Sequence, residues 1–298
     1  AAQFLKGNMP IDRVRQIMES PSGFDSDFLK ELGSQGFLSL LIEEEHGGMG
    51  LGMLDTVIVA QALARANAPI NFHDQAVFAP LLLAACGRPL TTNEVSFLTA
   101  MQGPGFDGDG IRFDDGLWAG KITYQRPIRP RLTCMERMWP PSRGETVTVS
   151  PGAMTLFRHV FYREDLYRDD FVPEYPERID LADAMLLAHE ATHVWQWENR
   201  ARTGYSPLKA AREHRVSEDP YLFDPGNSAR FLDHGYEQQG AIVEEYVCCR
   251  ALAPDAVRTK RLHAMLSAAF PVSDLPGATR ESDVYLPWKD ADLKGICA

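Results

Sequence analysis

The chain has 298 residues, 45% of them hydrophobic, enough for one large or two modest domains with a sizeable core. Lys plus Arg number 30 against 41 Asp plus Glu, and the net charge of −11 argues against non-specific nucleic-acid binding, which needs a basic face. No apolar run reaches the roughly 18 residues of a membrane-spanning helix. The 5 cysteines, an odd count without a C-x-x-C pair, favour a reduced cytoplasmic setting, with a secreted effector as the alternative.

In chain order, the first signal is a glycine-rich turn. Gly36-Phe37-Leu38-Ser39-Leu40-Leu41-Ile42-Glu43-Glu44-Glu45-His46-Gly47-Gly48-Met49-Gly50-Leu51 precedes a helical run over residues 53–66, which Asn67-Ala68-Pro69 ends. This stretch resembles the N-terminal helical domain of acyl-CoA dehydrogenases, where the corresponding stretch reads I-P-E-E-Y-G-G-x-G-L. The likeness covers about residues 1–86. That family holds its flavin with a middle β-domain and takes its catalytic carboxylate from a C-terminal helical domain. Neither follows here, and no T-E-P segment of the flavin-binding kind occurs. Residues 1–86 therefore read as an appended all-α module without flavin chemistry. It offers a surface for a protein partner or self-association, or serves only to stabilise its neighbour. The run over residues 79–86 ends Leu-Ala-Ala-Cys, like a lipoprotein cleavage site. It lies far inside the chain, without a basic leader close before it, and is discounted.

From residue 87 the pattern changes. Residues 93–101 read as a short helix. Residues 111–113 and 117–124 read as two strands around the Asp114-Asp115-Gly116 turn. Asp107-Gly108-Asp109-Gly110 lacks the spacing and terminal glutamate of a calcium loop, so it reads as a turn. Residues 126–131 hold three arginines among prolines and read as a loop. Residues 146–149 and 155–162 alternate as strands, joined through Pro151-Gly152. An edge strand there suits an extended peptide. His159, on the last strand, is an outside candidate for a metal ligand.

The strongest motif follows. Leu186-Leu187-Ala188-His189-Glu190-Ala191-Thr192-His193-Val194-Trp195-Gln196 reads H-E-x-x-H inside an apolar helix over residues 181–202, with Asp180 as N-cap and Gly204 as stop. Histidines four apart share one helical face, so both imidazoles can reach one metal ion. Glu190 is placed to take a proton from a water on that metal. Imidazole with carboxylate suits Zn2+, whose catalytic sites keep three protein ligands and an open position.

A third ligand is expected from a second helix starting near Asp233 or Gly235 and running to about Val247. There Glu237, Ala241, Glu244 and Cys248 share a face, and Gly240 with Ala241 permits close approach to the first helix. Glu237 is the choice for the ligand. Glu244 is the alternative, or orients a ligand histidine. The plainer reading makes the acidic face, Glu244 and Glu245 included, a solvated surface. Cys248 and Cys249 read as small hydrophobes, with a thiol ligand as the lesser alternative.

Residues 88–252 resemble the bacterial H-E-x-x-H proteins labelled Vgr-related metallopeptidase-like proteins. Three places carry the likeness. Arg88-Pro89-Leu90-Thr91-Thr92-Asn93-Glu94 matches the opening R-P-L-T-x-x-E; His189 to Gln196 matches H-E-x-T-H-V-W-Q; Tyr236 to Val243 matches the E-Q-Q-A-x-I-V segment, with Gly240 where Ala is usual. The resemblance implies a minimal zincin fold, with His189, His193 and Glu237 as ligands and Glu190 as the base. It implies no particular substrate.

Residues 203–230 are rich in turn formers and read as a rim over the cleft. Tyr205, His214, Tyr221, His234 and Tyr236 are open as oxyanion donors or supporting groups. Residues 255–270 read as a last helix, and the remainder as a surface wrap. The expected whole is an α+β, zincin-like metallopeptidase domain over residues 87–298 behind the helical module, hydrolysing peptide bonds in a peptide or protein substrate. Two rivals stand beside it. One is a non-catalytic, metal-containing interaction protein, which a fourth protein ligand would mark. The other is a remnant of an acyl-CoA dehydrogenase-type flavoprotein.

Overall fold

The computed structural model describes residues 1–42, 44, 47–70, 72, 76, 87–227, 229–273 and 283–298. Glu43, Glu45 and His46 of the glycine-rich stretch, and the run over residues 79–86 with Cys86, lie outside the described residues. The chain divides into two units, Ala1–Cys86 and Gly87–Ala298. Helices and small sheets together make the fold α+β.

The first unit is helical throughout its described elements: α1 (Ala2–Asn8), α2 (Ile11–Glu19), α3 (Ser26–Ser34) and α4 (Met53–Arg65). They close on a core of Leu5, Val14, Ile17, Phe28, Leu32, Leu40, Val59 and Leu63. Asp25 caps α3 by accepting from the Asp27 and Phe28 amides, and Arg13 pairs with the same carboxylate at 2.8 Å. The expected glycine turn is held rather than loose. The Met49, Gly50 and Leu51 amides return to the carbonyls of Ser39, Ile42 and Leu40. A side chain at Gly48 would collide with the Ile42 backbone, which is why glycine stands there.

The second unit begins with a lock. Thr91 caps α5 (Thr92–Gln102), and Glu94 returns to the Thr91 amide in a capping box. Glu94 is fully buried; it takes both Arg88 guanidinium nitrogens at 2.7 and 2.8 Å and the Phe171 amide at 3.0 Å. The R-P-L-T-x-x-E segment is thus a buried, fully satisfied ion pair that pins the start of the unit to the 168–171 loop.

The strands are short, and their pairing differs from the expectation. β1 (Arg112–Asp114) does not form a hairpin with residues 117–124, because Trp118–Lys121 is a 3-10 turn. Instead β1 pairs in parallel with β5 (His159–Tyr162), with Phe113 beside Val160. Residues 155–162 are a hairpin, not one strand. β4 (Ala153–Leu156) turns at Phe157, whose φ is 60°, and returns as β5. The order is β1-β5-β4, leaving β4 at the edge. β3 (Thr146–Val149) pairs with β2 (Tyr124–Pro127), so part of the arginine-rich stretch is strand rather than loop. Arg129 beyond it is held by Asp219 at 2.5 Å and Glu136 at 3.5 Å.

β6 (Ile179–Asp180) leads into α7 (Leu181–Glu198), capped by Asp180. Apart from Ala182, Asp183 and Leu186, residues 181–197 of this helix are buried, because it runs through the core, and His189, Glu190, Thr192, His193 and Gln196 are its buried polar residues. It breaks at Asn199, and α8 (Arg200–Thr203) ends on Gly204 at φ 68°. The rim holds a further helix, α9 (Pro207–Val216), that the turn-rich composition hid. Its signal was present: Ser206 caps the Lys209 amide, and Pro207 occupies the first turn. α10 (Tyr236–Leu252) packs along α7, and α11 (Val257–Ser267) follows. The C-terminal segment does more than wrap the surface. β7 (Val284–Tyr285) pairs with β6, and Ile296 and Cys297 are buried in the main core.

Two disulfides join this unit. Cys134, at the start of α6 (Cys134–Met138), pairs with Cys248, and Cys249 pairs with Cys297, at Cα separations of 6.0 and 5.6 Å. The expectation that Cys248 and Cys249 are unpaired small hydrophobes is therefore corrected, and with it the cysteine argument for a reduced compartment.

Candidate metal centre

α7 and α10 meet through small residues. An ideal Cβ on Gly240 would stand 2.6 Å from His189 Cε1 and 2.7 Å from its Nε2. The glycine lets the second helix lie flat against that imidazole. Gly240→Ala is expected to push the His189 ring out of place. Zinc affinity should fall about 10–100-fold, the loss typical when the setting of a metal ligand is disturbed, as read by competition with a chromophoric chelator.

This contact brings three donor atoms into a triangle. His193 Nε2 lies 3.2 Å from His189 Nε2, and Glu237 Oε2 lies 3.4 Å from each. Zinc bonds of about 2.0–2.2 Å at tetrahedral angles put neighbouring donors roughly 3.3–3.5 Å apart. The triangle has that edge length, so the three residues fit one tetrahedral ion with a fourth position left over. Among the described residues, one other group of metal-binding types clusters as closely, Cys134 with Cys249 and Cys297. Those sulfurs are committed to the disulfides.

The ring orientations follow from a chain of hydrogen bonds that can be directed. The Gln196 amide Nε2 donates to the Tyr236 carbonyl at 3.0 Å and to Gln239 Oε1 at 3.0 Å. Its Oε1 must then be the acceptor for His193 Nδ1 at 2.8 Å. With the hydrogen on Nδ1, the Nε2 lone pair is free for a metal. Gln239 is fixed in turn by donating to the His234 carbonyl at 2.8 Å. Replacing Gln196 with Ala should cost zinc affinity about 10-fold or more, with the fold retained, in the same chelator competition. On the other histidine, His189 Nδ1 faces Glu244 Oε1 at 3.4 Å. Glu244 thus stands behind His189, and Glu237 is the carboxylate in the triangle.

Glu237 is itself held. His214 Nε2 lies 3.0 Å from its Oε1, and the neighbouring Glu213 accepts from the backbone amides of Tyr236 and Glu237. Burial opposes ionisation of Glu237, but His193, His189 and His214 outweigh it and hold the carboxyl well below its usual range. Burial likewise opposes charge on both histidines, yet Glu244 and Glu237 keep His189 well above its ordinary value, and Glu237 raises His193. A metal competes with protons for these donor atoms. Zinc binding is therefore expected to release protons and to weaken as pH falls, measured calorimetrically in buffers of different ionisation enthalpy.

Glu190 is buried beside His189, and its Oε2 accepts from the Thr155 hydroxyl of β4 at 2.7 Å. Tyr221 and Tyr205 stand over the two histidines, with ring centroids 5.7 Å from His189 and 6.1 Å from His193. Burial, then the nearby carboxylates Glu237 and Glu190, raise both phenols, so both keep a proton to donate. The Tyr236 and His234 backbone carbonyls enter the network; the Tyr236 hydroxyl points to Gly204. His159 lies on the sheet face opposite Val160, stacked on Phe161, away from the triangle. The acidic face is not solvated: Glu244 and Glu245 are both buried, and Glu245 binds Arg258 and the Cys134 amide. Sequence reasoning missed Thr155, Gln196 and Gln239. Gln196 sits three positions after His193, a spacing that could have marked it.

Residues 1–88 match the family model of the acyl-CoA dehydrogenase N-terminal domain. No curated protein matches. Among solved structures, the effector domain of Pseudomonas aeruginosa VgrG2b is similar at 23% identity and a TM-score of 0.35, covering 62% of this chain and 83% of that one.

Proposed function

We propose that residues 87–298 form a zinc-dependent, zincin-like peptidase. The observation that carries the reading is the triangle of His189, His193 and Glu237, whose edges of 3.2, 3.4 and 3.4 Å suit a tetrahedral ion with one position open. A structural zinc shell closes with four protein donors; among the described residues three converge here.

When bound, zinc supplies Lewis acidity, polarising the scissile carbonyl and lowering the pKa of a water. The remaining work falls to the protein. Glu190 would take a proton from the attacking water and return it to the leaving amine. Tyr221 and Tyr205, whose rings stand over His189 and His193, would offer hydroxyls to negative charge developing on the carbonyl oxygen. β4, at the sheet edge, gives an extended peptide a backbone to pair with.

The test is direct. Chelator-treated protein should take up one zinc per chain, cleave fluorescently labelled casein only when loaded, and lose both properties in His193→Ala. Absence of zinc uptake by the unchanged protein would end the metal reading, and uptake without cleavage would favour the non-catalytic interaction protein. The role of residues 1–86 as a partner or self-association surface is part of the same proposal.

A further inference from the structure

Resting on the peptidase reading, we infer that Thr155 is a positioning residue for the base: its hydroxyl tethers Glu190 to the edge strand on which substrate would lie. Thr155 sits on β4, 6% exposed, on the sheet face shared with its partner Val160 and turned towards α7. Its hydroxyl carries one hydrogen. The Glu190 carboxylate Oε2 is at 2.7 Å and the Glu190 carbonyl at 3.4 Å, so the carboxylate receives it. Buried from water, the hydroxyl has no solvent to exchange for this partner.

Two consequences follow. First, the base's oxygens become inequivalent. Oε2 is occupied by Thr155, which leaves Oε1 to take and return the proton, and the carboxylate cannot swing about its last torsion without breaking a charge-assisted bond. Second, one side chain spans the two elements whose spacing matters. α7 carries the base, and β4 is the outer strand of the sheet, unpaired on its far side among the described residues. A peptide added to that edge would be registered against the backbone that holds Thr155, and through Thr155 against Glu190. The tether is a matter of orientation, so its loss should lower turnover rather than substrate binding or metal affinity.

Thr155→Val keeps the branched shape and strand preference and removes only the hydroxyl; Thr155→Ser keeps the hydroxyl. On the zinc-loaded full chain with a quenched fluorescent peptide, Val should lower kcat roughly 10- to 100-fold with KM and zinc affinity unchanged, and Ser should restore most of it. Independently of activity, the infrared carboxylate stretch of Glu190, assigned by its absence in Glu190→Gln, should shift in Val and return in Ser. Thr155→Ala against Ser repeats the comparison should Val not fold. If the unchanged protein proves to have no peptidase activity, the infrared band still decides: a shift supports the tether. An unshifted band in both hydroxyl-free variants, or a turnover loss that Ser does not restore, overturns it.

Discussion

Glu190→Gln is expected to leave zinc binding intact and to lower peptide hydrolysis by about 10²–10⁴-fold, the usual worth of a general base. The substitution preserves shape, and the amide oxygen can still accept from Thr155 as Oε2 does at 2.7 Å. It removes the one property at issue, the ability to carry a proton away. The metal triangle has no part in Glu190, so its three edges should be undisturbed. His193→Ala makes the contrast, since it should lose metal and activity together. Parallel measurement of zinc content and casein cleavage separates the two. A Glu190→Gln protein that cleaves at the parental rate would mean the proton goes elsewhere, and the assigned mechanism would be wrong.

The parts of this site legible in sequence are those that a single helix fixes. Two histidines four apart on α7 must share a face, and Asp180 before the run marks where that face begins. Gly240 was readable as a point of close approach, although its meeting with His189 was not. What stayed hidden depends on pairing between elements. Residues 155–162 look like one strand because Phe157, which turns at φ 60°, is not a residue type that announces a turn. Thr155 is ordinary in a strand until Glu190 is set opposite it. Gln196 and Gln239 become a relay only when α7 and α10 are side by side. Glu245 read as solvated because nothing near it in sequence predicts Arg258 or the Cys134 amide as its partners.

The helix that supplies Glu237 is anchored at its opposite end. Glu237, the proposed ligand, lies in the first turn of α10 and Glu244 at its middle, with Cys248 and Cys249 in its last two turns. Adjacent helical residues point about 100° apart, so one cysteine reaches the start of α6 and the other the C-terminal segment. The helix is thereby fixed both to the α6 start and to the chain end.

Removing these bridges is expected to have the largest effect on stability. Cys134–Cys248 closes a separation of 114 residues and Cys249–Cys297 one of 48. Cross-links over loops of that length restrict the unfolded chain and are worth about 2–5 kcal/mol each. For a unit of this size the loss corresponds to a fall in Tm on the order of 10 °C per bridge. The pairwise variants C134S/C248S and C249S/C297S, and the parental protein treated with a phosphine reductant, should show it by calorimetry. The longer loop predicts the slightly larger loss for the first pair. Because α10 carries Glu237, the reduced protein should also hold zinc more weakly, and added zinc should recover part of the lost Tm by mass action. A reduced protein melting at the parental temperature would show that burial of Tyr246, Val247 and their neighbours suffices to hold the helix, and that the two cystines add nothing to it.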